Sequence, residues 1–244
     1  MIDPANITRK MHEPNWPKCQ HAGCIGRVAN DRKCLAHLPE DARKAFLAAL
    51  GNGSTRALLQ GTTLSPELLA SILASVPRTD DDRPDLRYAD FDQATFTGDT
   101  SFSRVHFTGD TVFQDATFQS KVTFQEAQFD SDAFFNAAVF EKQASFTGAR
   151  FSGVAWMHYA RFLGEATFHD VHFADDANFL GAGFAKNANF GGVEFSGEAW
   201  LGEVVVGGML ALFQASFARP VLIQGIVRQL ACYRTEFRLK RLAQ

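Results

Sequence analysis

Large apolar residues recur along most of this chain at a spacing that neither a helix nor a flat strand can use. They fall at Phe91, Phe96, Phe102, Phe107 and Phe113, and the alternation of five and six residues then runs without a miss to Ile223. Two residues before each centre stands a small or β-branched residue, from Ala89 and Ala94 to Ala215 and Val221, with Leu210 the exception. A helix repeats every 3.6 residues and a strand every 2, so neither brings these positions to one side. An eleven-residue period would also suit a right-handed coiled coil. Composition removes that reading, because Gly, Thr, Asp and Phe stand where such helices need Ala, Leu, Glu and Lys. What remains is a solenoid, in which each unit forms one side of a coil and turns its small and large residues inward. The demand is visible in the counts: 24 Phe against 3 Tyr and 3 Trp.

The unit x-A-x-F-x resembles the pentapeptide-repeat family, and the likeness runs over residues 86–223. The resemblance implies a mainly β fold, a right-handed quadrilateral β-helix. This chain departs from the family norm in its extra residue at every second unit, so four sides take 22 residues. Two opposite corners are therefore expected to bulge. About six turns at the roughly 4.8 Å spacing of paired strands predict a rod about 30 Å long. Four interior ladders should result, for example Phe102, Phe124, Phe146, Phe168 and Phe190. Each buried Phe contributes roughly 1.5–3 kcal/mol of transfer free energy. Open strand edges at both ends need caps.

Four segments follow from texture. Residues 1–39 form a Cys/His-rich module. Residues 40–78 read as a helical N-terminal cap: DARKAFLAAL closes at Gly51-Asn52-Gly53, and PELLASILASV has Ser65 as N-cap and Pro66 at its first position. A polar linker, residues 79–85, leads into the repeat at 86–223. In residues 224–244, Ile226, Leu230, Tyr233 and Phe237 recur at helical spacing. That segment reads as a capping or dimerising helix, the alternative being one more irregular coil. No apolar run is long enough to span a membrane and the start lacks a signal-peptide core, so a cytoplasmic protein is expected. Residues 1–79 carry ten Lys/Arg against six Asp/Glu, residues 80–220 nine against twenty, and residues 221–244 five against one. The middle is acidic and both ends are basic.

The strongest chemical constellation is Cys19-x4-Cys24-x9-Cys34-x2-His37, which matches a structural Cys3His zinc site. Its surroundings have little core of their own, where a metal helps most. The competing readings are reduced cysteines packed against the helices, His21 as an alternative ligand, and redox chemistry. His106, His158, His169 and His172 each adjoin an inward residue and should point to solvent. Asp99, Asp110, Asp132 and Asp176 fall at the lengthened corners, where turn-forming Asp is expected. No phosphate loop, nucleophile elbow or dinucleotide fingerprint occurs, and a convex rod offers no pocket to desolvate a catalytic pair. An enzyme, a small-molecule substrate and direct nucleic-acid binding are accordingly not expected.

One outward column differs from the others. Taken 22 apart, the residues just before the centre run Asp90, Val112, Phe134, Trp156, Asn178, Trp200, Leu222, with Tyr159 and Leu180 nearby. An equivalent column reads Ser101, Thr123, Ser145, Thr167, Asn189. An apolar stripe on a polar rod marks a contact, either with the chain's own ends or with a second copy or another protein. The function expected is a non-catalytic interaction scaffold using Phe134, Trp156, Tyr159 and Trp200. The resemblance implies an alternative, since some family members imitate duplex DNA, bind gyrase and protect it from inhibitors; the acidic rod agrees with that.

Overall fold

The computed structural model describes residues 12–221 and 223–237. Its body is a coil of short parallel strands, each paired with the strand 22 residues further on, as in Ala133↔Ala155 and Ala155↔Ala177. Side one of the coil is centred on Phe91, Phe113, Phe135, Met157, Phe179 and Leu201. Side two runs from Phe96 to Val206, side three from Phe102 to Leu212, and side four from Phe107 to Phe217. All these centres are 3% exposed or less, so the period seen in the sequence is the period of the core. Within a ladder the Phe rings stack 4.5–5.1 Å apart and within 17° of parallel. Sides one and three meet edge-on across the middle, with Phe135 and Phe146 at 5.5 Å and 86°. Both geometries suit the quadrupole of the ring.

The corners are of two kinds, and this is where the extra residues go. From side one to two and from three to four, five residues separate the centres. There the N–H of the next small residue closes a turn on the carbonyl of the centre, as in Ala116 N to Phe113 O at 3.1 Å and Ala127 N to Phe124 O at 3.0 Å. The residue two after the centre is left-handed: Asp115, Glu126, Ala137 and Tyr159 have φ between 52° and 58°. The six-residue corners were expected to bulge. Because every coil carries the same two extra residues, the ladder keeps its 22-residue register through them until Leu201. They are held by side chains three before the centre. Asp132 Oδ1 accepts the N–H of Val154 at 2.9 Å, Asp176 that of Glu198 at 2.8 Å, and Asn187 that of Met209 at 2.8 Å. At these corners the side chain thereby caps the next turn.

The coil begins before the main repeat does. Ala57–Leu58 pairs with Ala89–Asp90, and Thr63–Leu64 with Thr95–Phe96, which places Leu59 and Leu64 as buried centres of sides one and two. Helix α2 (Pro66–Ser75) stands where a side-three strand would be, packed against Thr100–Ser101. Asp85, bridged in parallel to His106, completes side four. The first turn is therefore built largely from residues read as a helical cap. Helix α1 (Glu40–Gly51) packs on α2. Ser65 Oγ accepts the N–H of Leu68 at 3.3 Å, as its N-cap position predicts.

The C-terminal helix expected in residues 224–244 is not what residues 223–237 form. Ile223–Ala231 is a strand paired with Ala199–Ala211, and Glu236–Phe237 pairs with Ser216–Phe217. Two register shifts, between Leu201 and Val204 and between Val206 and Met209, shorten this last turn. That shortening moves Ile226 and Leu230 off the five–six period and onto a spacing that imitates a helix face. The open edge of the preceding turn offers unpaired backbone groups, and a β-branched run with Gly225 satisfies them better than a helix could. Residues 238–244 lie outside the described residues. Among the described residues no helix is long and apolar enough to cross a membrane.

Candidate functional site

The Cys/His cluster is assembled by two short hairpins and a turn of 3-10 helix. Lys18 bridges Arg27 and Asn30 bridges Lys33 in antiparallel fashion, and the second hairpin turns through left-handed Asp31 and Arg32. Cys19 N bonds Gly26 O at 2.7 Å, Cys24 N bonds His21 O at 3.0 Å, and Trp16 Nε1 ties down Ile25 O at 2.8 Å. Cys34 precedes the 3-10 helix Leu35–His37, whose first turn carries His37 back beside it. Gly26 has to be glycine, because a Cβ there would lie 2.9 Å from Cys34 Cβ.

The four side chains converge as the spacing predicts, with all ligand atoms within 4.8 Å of one another. Cys24 and Cys34 Sγ are 3.7 Å apart, and His37 Nδ1 lies 3.3 Å from Cys34 Sγ and 3.5 Å from Cys19 Sγ. With Zn–S near 2.3 Å and Zn–N near 2.0 Å, the edges of a tetrahedron are about 3.5–3.8 Å, so these separations already suit a metal at the centre. Backbone N–H groups of His21 and Gly26 point at Cys19 and Cys24 Sγ, at 3.5 and 3.3 Å. Burial, followed by the charge of Cys24, pushes the Cys34 thiol up to about 12. Cys19 is drawn down, burial opposing the Cys34 and His21 hydrogen bonds that outweigh it. Burial also lowers His37, keeping its ring neutral and able to coordinate. His21 stacks on the His37 ring at 4.0 Å and is not among the converging ligand atoms.

This cluster sits on the end of the coil. Arg27 N bonds Gln60 O at 2.7 Å, and Leu35 and Leu38 join the same continuous core as the Phe ladders. The module thus covers the first turn together with the helices.

The aromatic residues predicted on side one also come together. Phe134 and Trp156 stack at 6.5 Å and 5°, and Trp156 meets Trp200 at 6.4 Å and 66°. The two indoles belong to turns separated by the Asn178 turn, so they close over Asn178, which is buried. Tyr159 lies across Gly181, where a Cβ would fall 2.6 Å from the ring. Trp200 and Tyr159 remain 40% and 39% exposed. Trp200 Nε1 donates to Glu198 Oε2 at 2.9 Å, and Glu198 also pairs with Arg219 at 3.1 Å. The Trp200 bond, with Arg219 behind it, lowers the Glu198 carboxyl. Neither α1 nor α2 lies on the stripe, since both pack at the first turn. Leu222, next in the column, is outside the described residues.

The histidines of the coil do not form a common site. His106 pairs with Asp130 at 2.7 Å and His172 with Glu194 at 3.0 Å, while His169 meets Asp170 and the Gly191 carbonyl.

A family model described as pentapeptide repeats (9 copies) matches residues 91–139, 113–161, 135–183 and 158–205. Among solved structures, the chain is similar to HetL, a pentapeptide repeat protein involved in heterocyst differentiation regulation from the cyanobacterium Nostoc sp. Strain PCC 7120. The two share 15% identity over 76% of this chain and 91% of that chain, with a TM-score of 0.23. No curated protein matches the chain.

Proposed function

This chain belongs to the pentapeptide-repeat family through the coil at residues 91–205, and on that basis we propose that it is a non-catalytic protein-interaction scaffold. Its contact surface is the side-one stripe of Phe134, Trp156, Tyr159 and Trp200. The observation that carries this reading is the packing of large aromatic side chains in register on the outside of a rigid rod. Indole and phenol rings supply much contact area at low entropic cost, and they are the side chains most often dominant in protein interfaces. Both a second copy of this chain and a different protein fit such a surface. The test is the double variant Trp156→Ser/Trp200→Ser, followed by mass in solution and by partner capture from the native cell. Loss of self-association or of a captured partner is expected. An unchanged mass together with unchanged capture would remove the stripe's role.

Cys19, Cys24, Cys34 and His37 would hold one structural zinc. With four protein ligands no coordination position is left for water or substrate, so the metal would supply folding free energy to a module with little core and no Lewis-acid chemistry. Free thiols in ligand geometry suit a reducing compartment such as the cytoplasm. In this reading residues 1–39 and 40–78 close one end of the coil, while residues 223–237 add a last, more exposed turn at the other.

A second reading, mimicry of duplex DNA towards gyrase, draws on the acidity of residues 80–220. Several of those carboxylates are already engaged, however: Asp132 and Asp176 accept backbone N–H groups, and Asp130 and Glu194 pair with histidines. The scaffold reading is preferred because both ends of the chain are basic and the rod carries an aromatic stripe.

A further inference from the structure

Ligand atoms converge in a second place. Asp92 follows the centre Phe91, and Asp115 is the left-handed residue two after Phe113, so both stand on the same corner of the coil in adjacent turns. One imidazole from the N-terminal segment lies between them. His12 Nε2 is 2.9 Å from Asp92 Oδ2, and His12 Nδ1 is 3.2 Å from Asp115 Oδ2. Gln93 Nε2 donates to the His12 carbonyl at 3.0 Å and also stands 3.1 Å from its ring Nε2. Gln114 Nε2 stands 3.4 Å from the other ring nitrogen.

Hydrogen bonding leaves one oxygen of this arrangement, Asp92 Oδ1, unsatisfied. A doubly protonated ring could donate to both carboxylates, but the two amide nitrogens would then face N–H groups, donor against donor. A neutral ring donates to one carboxylate, and Gln114 Nε2, 3.5 Å from Asp115 Oδ2, reaches the other only at the limit of a hydrogen bond. Asp92 Oδ1 is buried with no hydrogen-bond partner, and among the described residues His12 is the one ion-pair partner of either carboxylate. Asp115 is itself buried, its side chain only 6% exposed. Buried carboxylate oxygens without partners are costly, and a cation relieves the cost.

We propose that His12, Asp92 and Asp115 form a second metal site, one that takes a first-row divalent cation. The three ligand atoms lie within 4.8 Å of one another, close enough to share one ion. One borderline nitrogen and two hard oxygens suit Mn2+, Co2+ or Zn2+; Ca2+ asks for six to eight oxygens. The half-exposed imidazole leaves the remaining coordination positions to water. A cation bound here would staple residue 12 to two successive turns. It would be chemically distinct from the Cys3His cluster, whose thiolates select soft zinc.

That distinction sets the experiment. The full-length protein, carrying one equivalent of zinc per chain for the cysteine cluster, is titrated with Mn2+, and the free ion is followed by electron paramagnetic resonance. One Mn2+ per chain is expected to bind saturably. His12→Gln and Asp115→Asn should each weaken binding roughly tenfold or more, the scale on which ligand-sphere changes act. His12 lies outside the coil, so His12→Gln should leave the β-helix circular dichroism unchanged and isolates the site even if Asp115→Asn disturbs the corner. Absence of saturable Mn2+ binding in the wild type would overturn the proposal, as would equal binding by His12→Gln. Neither result would bear on the zinc content of the cysteine cluster.

Discussion

At the scale of the residue, the inward phenylalanine is the unit on which stability rests. Phe146 is fully buried, stacked on Phe124 and Phe168 at 4.8 Å each and met edge-on by Phe135 at 5.5 Å. A solenoid repeats its contacts, so the ring has neighbours above, below and across, and little freedom to collapse if one is removed. Phe146→Ala is expected to cost about 3–5 kcal/mol, measured by urea denaturation followed by far-ultraviolet circular dichroism. The period of these residues was legible in the sequence because burial at every turn leaves no choice of side-chain type. Met157, in the side-one ladder between Phe135 and Phe179, keeps the register because any large unbranched apolar side chain fills the same gap.

At the scale of the element, what matters is how the first turn is closed. The pattern Ala57-x-Leu59-x2-Thr62-x-Leu64 obeys the repeat rule, yet it is cut off from the main run by α2 and so does not stand out. Only pairing with Ala89 and Phe96 shows that these residues belong to the coil. Gln60 in turn receives the Cys/His module through Arg27. If one metal organises that module, chelation should release its cover of the edge. Hydrogen exchange of amides in residues 57–64 is then expected to quicken on adding a chelator, while amides between Phe113 and Phe195 keep their protection. Unchanged exchange in residues 57–64 would mean that the module holds its place without metal.

At the scale of the whole molecule, each turn touches only its neighbours, so protection should fall toward any end that lacks a cap. The N-terminal end is covered by the helices and the Cys/His module. The last turn is different: Ile226 and Leu230 are each 52% exposed, although they pair with Val205 and with buried Leu210. Native-state hydrogen exchange should therefore be fastest in residues 223–237, slowest in the central turns, and intermediate in the first turn. A flat profile would show the C-terminal edge to be covered in solution.

The sequence by itself determined the coil, its four ladders, the meeting of three cysteines with His37, and the aromatic column on side one. Each of these follows from a local period or a short spacing, which survives in one dimension. Tertiary structure decided the rest. It settled which corners take the left-handed turn and how the long ones cap the following turn. It showed that α2 replaces a strand, and that residues 223–231 pair with an open edge where their own spacing suggested a helix. It also brought His12 to Asp92 and Asp115, across 80 and 103 residues of chain. Those outcomes depend on which backbone edge or carboxylate lies one turn away, and nothing local in the sequence records that.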